Sequence, residues 1–154
     1  MGALMRVSVI TAVKDNVAEL ACTLDGIVKA VAAEPAVQVQ LLVVAPGIGA
    51  TSTAALLDIL AAAQKQHDDS IVDKLTRLTI QRVFDDGTGI AAAFNTGLQH
   101  CRGDMIAVLN AGDLWFPDTL VNVARAAKES PGAVLYSSVT FENEQGKRYV
   151  VDSD

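Results

Sequence analysis

The sequence predicts an α/β fold, a three-layer α/β/α domain whose mostly parallel sheet ends in an antiparallel hairpin. Three observations predict it. Apolar runs of strand length alternate four times with stretches that carry apolar residues at helical spacing. The hydrophobic fraction is 51% but aromatics are only 5%, which indicates a sheet core of small aliphatic side chains. Near the end, two strand-like runs flank a turn at 143–146.

Most of the predicted elements are bounded by a recognisable signal. Asn16 and Glu19 have the spacing of a capping box and predict the start of the first helix. Gly103 is expected to cap the third helix and Pro117 to open the fourth. The polar stretch 67–73 is expected to be a surface loop. The predicted strands cover 5–12, 37–44, 75–83, 104–109, 134–141 and 147–151, and the helices cover 17–33, 52–66, 90–101 and 117–129.

Length and charge limit the classes of protein to consider. A chain of 154 residues is long enough for one domain with a real core, so we expect a single domain over 1–154. A formal net charge of −6 repels phosphate backbones and argues against a nucleic-acid partner. No apolar run approaches the ~20 residues of a transmembrane segment, and none has the pattern of a signal peptide. We therefore expect a cytoplasmic protein.

The most informative stretch is 103–113, where a glycine precedes a short apolar run that ends in Asn110-Ala111-Gly112-Asp113. In open parallel sheets, ligands bind just outside the carboxyl ends of the strands. The small residues between Asn110 and Asp113 let an anionic ligand or a cation approach the backbone. This pattern suggests a nucleoside-diphosphate site, although Asp113 also suits a residue that stabilises the next helix through its dipole.

Four stretches, at 7–16, 42–47, 89–98 and 102–113, follow in the order and spacing of one family. On these motifs the chain resembles the nucleotide-sugar-binding half of family 2 glycosyltransferases, which have the Rossmann-like GT-A fold of nucleotide-diphospho-sugar transferases. It is most similar to members whose metal-site turn is Leu-Asn-Ser-Gly-Asp or Leu-Asn-Ala-Gly-Asp. The resemblance covers about residues 5 to 140 and implies a donor-binding half without an acceptor half.

The resemblance implies an enzyme that transfers a sugar from a nucleotide-diphosphate donor, such as a UDP-sugar, to an unknown acceptor in polysaccharide biosynthesis. A divalent cation, Mn²⁺ or Mg²⁺, would stabilise the charge that develops on the leaving diphosphate. In inverting members a further carboxylate acts as general base. No residue of this chain can be assigned that role, so the catalytic residues stay unknown.

Site residues follow from the resemblance position by position. Asn95 matches the Asn-x-Gly of the helix beside the donor. Asn110 and Asp113 match the first and last residues of the metal-binding turn, with Asp113 as the metal ligand. The residues expected against the nucleotide base, at the end of the first strand, are Thr11, Ala12 and Val13.

The chain departs from the family pattern mainly at carboxylates. Ala45 occupies the donor-binding position where the family has an aspartate, and Ala92 replaces a second one. The turn before the third helix is one residue longer, so Asp86, or else Asp85, is expected to reach the donor. These losses support an alternative: a degenerate, non-catalytic domain that serves in assembly or regulation, with a homodimer formed through the terminal hairpin.

Four other side chains have structural interpretations. His67 is expected in a solvated loop, and His100 is expected to interact with the dipole at a helix C-terminus. Trp115 and Phe116 are expected to cover the core beneath a loop and not to stack on a sugar ring. Gly47 and Gly49 do not complete a dinucleotide fingerprint, which argues against a nicotinamide site.

Overall fold

The computed structural model describes residues 4–47, 50–70 and 77–151. Strands and helices alternate as the hydrophobic pattern predicts, and a hairpin follows. The elements are β1 (Met5–Ala12), α1 (Val17–Ala33), β2 (Val37–Pro46), α2 (Ala50–Ser70), β3 (Leu78–Asp85), α3 (Ile90–His100), β4 (Met105–Val108), α4 (Thr119–Glu129), β5 (Val139–Glu142) and β6 (Arg148–Val151). The predicted α/β class is confirmed.

The main sheet has the strand order β3-β2-β1-β4, and every pairing in it is parallel. Met5 pairs with Val37 at one end of β1, and Ala12 pairs with Val44 at the other. All four carboxyl ends therefore lie along one edge of the sheet. The chain adds β2 and β3 on one side of β1 and β4 on the other, which makes the β1/β4 boundary a topological switch point.

Helices cover both faces of this sheet, which gives the predicted three layers. One core cluster joins alternate residues of the strands, such as Val9 and Leu41, to α1, α2 and Leu120 of α4. A smaller cluster joins Ile10, Leu42 and neighbouring residues to α3. Because β2 is paired on both sides and covered on both faces, 41–45 is a continuous buried run.

The capping box predicted at the start of α1 does not form. The Asn16 side chain makes no cap hydrogen bond to the helix. Its oxygen accepts from the Lys14 backbone N–H at 3.3 Å, and its Nδ2 donates to the carbonyl of Ala111 at 3.2 Å. A tertiary contact has thus replaced the local one, while the predicted helix boundaries, 17 and 33, are confirmed.

The polar loop predicted over 67–73 is wrong at 67–70, because α2 continues to Ser70; residues 71–73 lie outside the described residues. His67 is buried, and its Nε2 accepts a hydrogen bond from the Leu78 backbone N–H at 3.1 Å. Gln64, one turn earlier, accepts from the Ile80 N–H and donates to the Leu78 carbonyl. These polar side chains satisfy backbone groups of the edge strand β3, a role that periodicity alone does not reveal. Burial lowers the pKa of His67.

Gly103 does not cap α3, which ends at His100 with Cys101 at the C-cap. The glycine is required for a different reason. A Cβ on Gly103 would lie 2.5 Å from the backbone nitrogen of Ser8. The chain must pass this close to β1 in order to enter β4. Residue 103 must therefore be a glycine because a Cβ does not fit there.

Several predicted boundaries move by a few residues. Helix α4 begins at Thr119, so Pro117 lies before it and does not open it. Strand β3 runs to Asp85, two residues beyond the predicted end; residues 75 and 76, where we expected it to start, lie outside the described residues. The first strand of the hairpin begins at Val139, because residues 134–138 have no regular structure.

The chain divides into two compact units, one ending at Ala124 and one beginning at Arg125. The second contains the antiparallel hairpin, in which Val139 pairs with Val151. All residues of β5 and β6 are exposed. Among the helices described, none is long and apolar enough to cross a membrane.

Candidate functional site

A cleft of about 240 Å³ lies at the carboxyl edge of the main sheet. Each of the four parallel strands brings residues to it, either from its own end or from the segment that follows. Among the described lining residues, Lys14 is the only basic residue and Asp85 the only acidic one. The lining consists of Ala12, Val13, Lys14, Asn16, Pro46, Asp85, Gly87, Gly89, Ile90, Ala93 and Asn110.

Two glycines keep one wall of the cleft open. Gly87 has a φ of 73° and Gly89 a φ of 131°, a region that side chains strongly disfavour. Gly89 is the N-cap of α3 and supplies no side-chain cap, so no described side chain caps the first backbone N–H groups of this helix, which begins at the cleft. Such a helix terminus favours anions, because the helix dipole and the free N–H groups both act on them.

The segment Asn110–Asp113, which follows β4, is a tight backbone turn. The Asp113 N–H donates to the Asn110 carbonyl at 3.0 Å, and Gly112 has a φ of 98°. A β-turn with positive φ at its third position favours glycine there. The turn brings Asn110 to the cleft.

Thr23 of α1 stabilises this turn through hydrogen bonds to its backbone. Its buried hydroxyl donates to the Asp113 carbonyl at 2.8 Å and accepts from the Gly112 N–H at 2.9 Å. Asn16 adds a third contact through the Ala111 carbonyl. Neither the role of Thr23 nor that of Asn16 was predicted from the sequence. The available signal was a threonine among the apolar positions of an otherwise aliphatic helix face.

Asp85 and Asp86 have different environments. Asp86 is exposed and accepts hydrogen bonds from the Thr88 N–H at 3.1 Å and the Thr88 hydroxyl at 2.7 Å. These bonds hold the pKa of Asp86 below its ordinary value. Asp85 lines the cleft, and its Oδ1 is buried with no hydrogen-bond donor among the described residues. Of the two carboxylates left open by the sequence, Asp85 is thus the one in the cleft.

The other residues expected at the site divide into three groups. Ala12, Val13 and Asn110 line the cleft. Thr11 and Ala45 are buried in the sheet behind it, and the Thr11 hydroxyl has no hydrogen-bond partner among the described residues. Three residues are exposed and lie outside the lining: Asp86, Asn95 and Asp113. Lys14 and Asn16 line the cleft without having been predicted there.

No group of three or more His, Cys, Asp or Glu side chains forms a metal centre within the described ranges. Near the turn, the side-chain oxygen ligands among the described residues include the Asp113 carboxylate and the Asn110 amide oxygen, and the Glu19 carboxylate of α1 lies beside Gly112. Mg²⁺ and Mn²⁺ accept such a sparse set when substrate phosphates and water complete the coordination. The residues present therefore fit a cation that arrives with a diphosphate.

Similar solved structures are GT-A glycosyltransferases. A mannosyltransferase from Pyrobaculum calidifontis, solved with GDP-Man and Mn²⁺, is 22% identical with a TM-score of 0.63, and the match covers 92% of this chain. S. aureus TarS is 14% identical with a TM-score of 0.56, and its 1–349 fragment with UDP-GlcNAc is 15% identical with a TM-score of 0.52; each covers 88% of this chain. This chain spans 37%, 24% and 39% of those chains. The fold is thus that of the GT-A class.

The sequence itself assigns the family. Residues 51–153 match the model of glycosyl transferase family 2, which is more than half of the chain. The chain therefore belongs to glycosyl transferase family 2, as the four ordered motifs predicted. No curated protein matches it significantly.

Proposed function

We propose that this chain binds a nucleotide-diphosphate sugar together with Mn²⁺ or Mg²⁺ and serves as the donor-binding half of a glycosyltransferase. One observation carries the proposal: the cleft lies where all four parallel strands end, at the topological switch point of a family 2 domain. The neighbours solved with GDP-Man and with UDP-GlcNAc support the ligand class.

We propose that the diphosphate lies near the β4 turn and the start of α3. The uncapped N–H groups of α3 suit phosphate oxygens, and Lys14 adds positive charge at the same cleft. Asp113 and Asn110 would hold the cation, which supplies Lewis-acid stabilisation of the leaving diphosphate. The donor-binding residues expected from the sequence stay proposals: Thr11, Ala12, Val13, Ala45, Asp86, Asn95 and Asn110. Of these, Ala12, Val13 and Asn110 have the direct support of lining the cleft, and Asp85 lines it in place of Asp86.

Calorimetric titration of the chain with UDP and with GDP, in Mn²⁺ and then in EDTA, tests the proposal. We expect saturable 1:1 binding of at least one nucleotide, weakened tenfold or more by EDTA, because the cation bridges protein and diphosphate. AMP, which lacks the diphosphate, is the control ligand and should bind more weakly. Absence of heat and of any thermal shift with every nucleoside diphosphate would reject donor binding.

A specific observation also favours the second candidate, a non-catalytic domain for assembly or regulation. The hairpin β5–β6 exposes apolar side chains that include Phe141, Tyr149 and Val150, and such strands can pair with a second copy. Ala45 and Ala92 leave the chain without two carboxylates of its family. Light scattering distinguishes the candidates: a tight dimer that binds no nucleotide supports assembly, whereas a monomer that binds UDP or GDP supports transfer.

A further inference from the structure

We propose that a second pocket, the amino-end pocket, binds a sugar that carries a phosphate or carboxylate group. It has a volume of about 230 Å³ and lies on the α3 face of the main sheet, toward the end where β1, β2 and β3 begin. Its lining side chains include Arg6, Gln38, Gln40, Thr79, Gln81 and Arg102. Ala12, at the cleft, lies six residues beyond Arg6 along β1, which is about 20 Å. This binding is therefore additional to the proposed donor binding.

The α3 face of the sheet changes from apolar to polar along its strands. Helix α3 packs on the carboxyl half, where Ile10 and Leu42 belong to the smaller core cluster. Two residues earlier on the same strands, Ser8 pairs with Gln40, and Gln40 pairs with Thr79 of β3. Parallel sheets are ordinarily covered on both faces, and their strands are then apolar throughout. A polar half-face beneath an open pocket indicates a polar ligand and not an apolar protein surface.

A buried hydrogen-bond network fixes the backbone beside the pocket. The Ser8 hydroxyl is fully buried, donates to Oε1 of Gln40 at 2.7 Å and accepts from the Gly103 N–H at 2.8 Å. The same Gln40 oxygen accepts from the Arg102 N–H at 3.0 Å, and its Nε2 donates to the His100 carbonyl at 3.1 Å. The backbone that carries Arg102 is thus held in place without a ligand, which lowers the ordering cost of binding.

The amino-end pocket carries positive charge on an acidic protein. The formal net charge of the chain is −6, yet the described lining residues include two arginines and no carboxylate. Arg6 is partly neutralised, because its Nε and Nη2 donate to the Asp104 carboxylate. The Arg102 guanidinium is exposed and makes no hydrogen bond or ion pair with the described residues. Arg102 therefore offers a planar fork of N–H donors that suits a phosphate or carboxylate.

The other side chains of the pocket favour a ligand that also carries hydroxyl groups. Glutamine amides and threonine hydroxyls both donate and accept hydrogen bonds, as the hydroxyl groups of a sugar do. Thr79 and Gln81 of β3 are exposed and lie two strand spacings, about 10 Å, from β1. This width suits one sugar ring with its acidic group at Arg102 and its hydroxyl groups toward β3.

NMR titration of the ¹⁵N-labelled chain tests the proposal, in about 0.15 M salt so that weak surface attraction is screened. The probes are glucose 6-phosphate and glucuronate, and glucose and inorganic phosphate are the comparison ligands. We expect both acidic sugars to shift the Arg102 and Gly103 amides saturably. Glucose should bind at least tenfold more weakly than either, and phosphate at least threefold more weakly than glucose 6-phosphate. The amides of Gly87 and Gly89 report on the cleft and should stay unchanged.

Variants at Arg102 separate charge from geometry. Arg102→Gln should weaken binding of both acidic sugars tenfold or more, because the charge and the fork are lost together. Arg102→Lys keeps the charge and loses the fork, so it should weaken binding about threefold. Lys128→Gln removes the same charge from an exposed position on α4 and is the matched control, which should bind as wild type does. The comparison of probes on wild type requires no variant to fold.

Several results would overturn the proposal. Glucose that binds as tightly as the acidic sugars would exclude recognition of the acidic group, and phosphate that binds as tightly as glucose 6-phosphate would leave only a simple anion site. Shifts confined to Gly87 and Gly89 would place the ligand in the cleft. Unchanged binding in Arg102→Gln, or no shift with any probe, would remove the site. Because no measurement uses a nucleotide, this proposal can fail while donor binding stands, and the reverse.

Discussion

Thr23 tests whether α1 organises the β4 turn. In Thr23→Val the shape of the side chain is nearly kept, but the Asp113 carbonyl and the Gly112 N–H lose their hydroxyl partner at 2.8 and 2.9 Å. A lost hydrogen bond costs about 1 kcal/mol net, and more when a buried group is left unsatisfied. Gly112 and Asp113 are exposed, so water can partly replace the lost hydroxyl. The cost of about 1 kcal/mol per hydrogen bond therefore applies. We expect a loss of about 2 kcal/mol for the two bonds.

Urea unfolding and thermal melting measure that loss. For a chain of this length, about 2 kcal/mol corresponds to a Tm lower by roughly 4–8 °C. Amide exchange gives a local measurement, because freeing the Gly112 N–H should accelerate its exchange about tenfold if the turn opens ~1.4 kcal/mol more easily. We also expect the Mn²⁺-dependent part of UDP binding to weaken, since Asp113 would no longer be held in one position.

Thr23→Ser is the matched control, because it keeps the hydroxyl and removes only a methyl group. It should cost about 1 kcal/mol through lost burial and leave Gly112 exchange unchanged. If the Gly112 amide exchanges equally slowly in Thr23→Val and Thr23→Ser, the Thr23 hydroxyl does not hold the β4 turn.

The remaining predictions concern space, protonation and the cation. Gly97→Ala should cost about 1–3 kcal/mol by overpacking, because its Cβ would lie 2.5 Å from Cγ2 of the buried, β-branched Ile10 side chain. Gly103→Ala should cost more in the same urea assay, because its Cβ meets backbone atoms that cannot rotate away. His67 has a pKa lowered by burial, so the unfolded state takes up the proton first as pH falls below about 6.5, the ordinary value. Stability should therefore decline from pH 7.5 to 5.5 in wild type and less in His67→Gln. Asp113→Asn should weaken UDP binding about tenfold in Mn²⁺ and little in EDTA, as expected when ~1.4 kcal/mol of metal-mediated binding is lost.

Each of these has a clear contrary result. Equal costs for Gly97→Ala and Gly103→Ala would show that backbone crowding at Gly103 relaxes as readily as a side chain. An unchanged pH dependence in His67→Gln would mean that other groups set it. Equal effects of Asp113→Asn with and without Mn²⁺ would remove Asp113 from the metal site.

Local patterns predicted the class and the element order because they depend on neighbours along the chain. The span of α1 followed from apolar spacing, and both of its ends are confirmed. The start of β1 and the α/β alternation followed in the same way. The pattern failed at 67–70, where a buried histidine has the sequence appearance of a polar loop. Its burial depends on β3, whose backbone groups need partners from α2.

At the candidate site too, some features followed from the local sequence and others depended on tertiary packing. The position of Asn110 at a strand end was predicted, and the structure brings it to the cleft. Neither spacing nor composition could decide between Asp85 and Asp86, since adjacent residues differ only in the direction that the turn gives their side chains. The hydrogen bonds from Thr88 to Asp86 and the position of Asp85 in the cleft lining depend on the path of the chain into α3.

By itself, the sequence determined the fold class, the order of its strands and helices and the family, because hydrophobic periodicity and motif order are properties of the linear chain. Tertiary structure alone decided that Thr23 supports the β4 turn, that His67 completes the edge of β3 and that Asp85 enters the cleft. The reason is physical: each of these roles requires a hydrogen-bonding partner or an opening that distant segments create when they pack together.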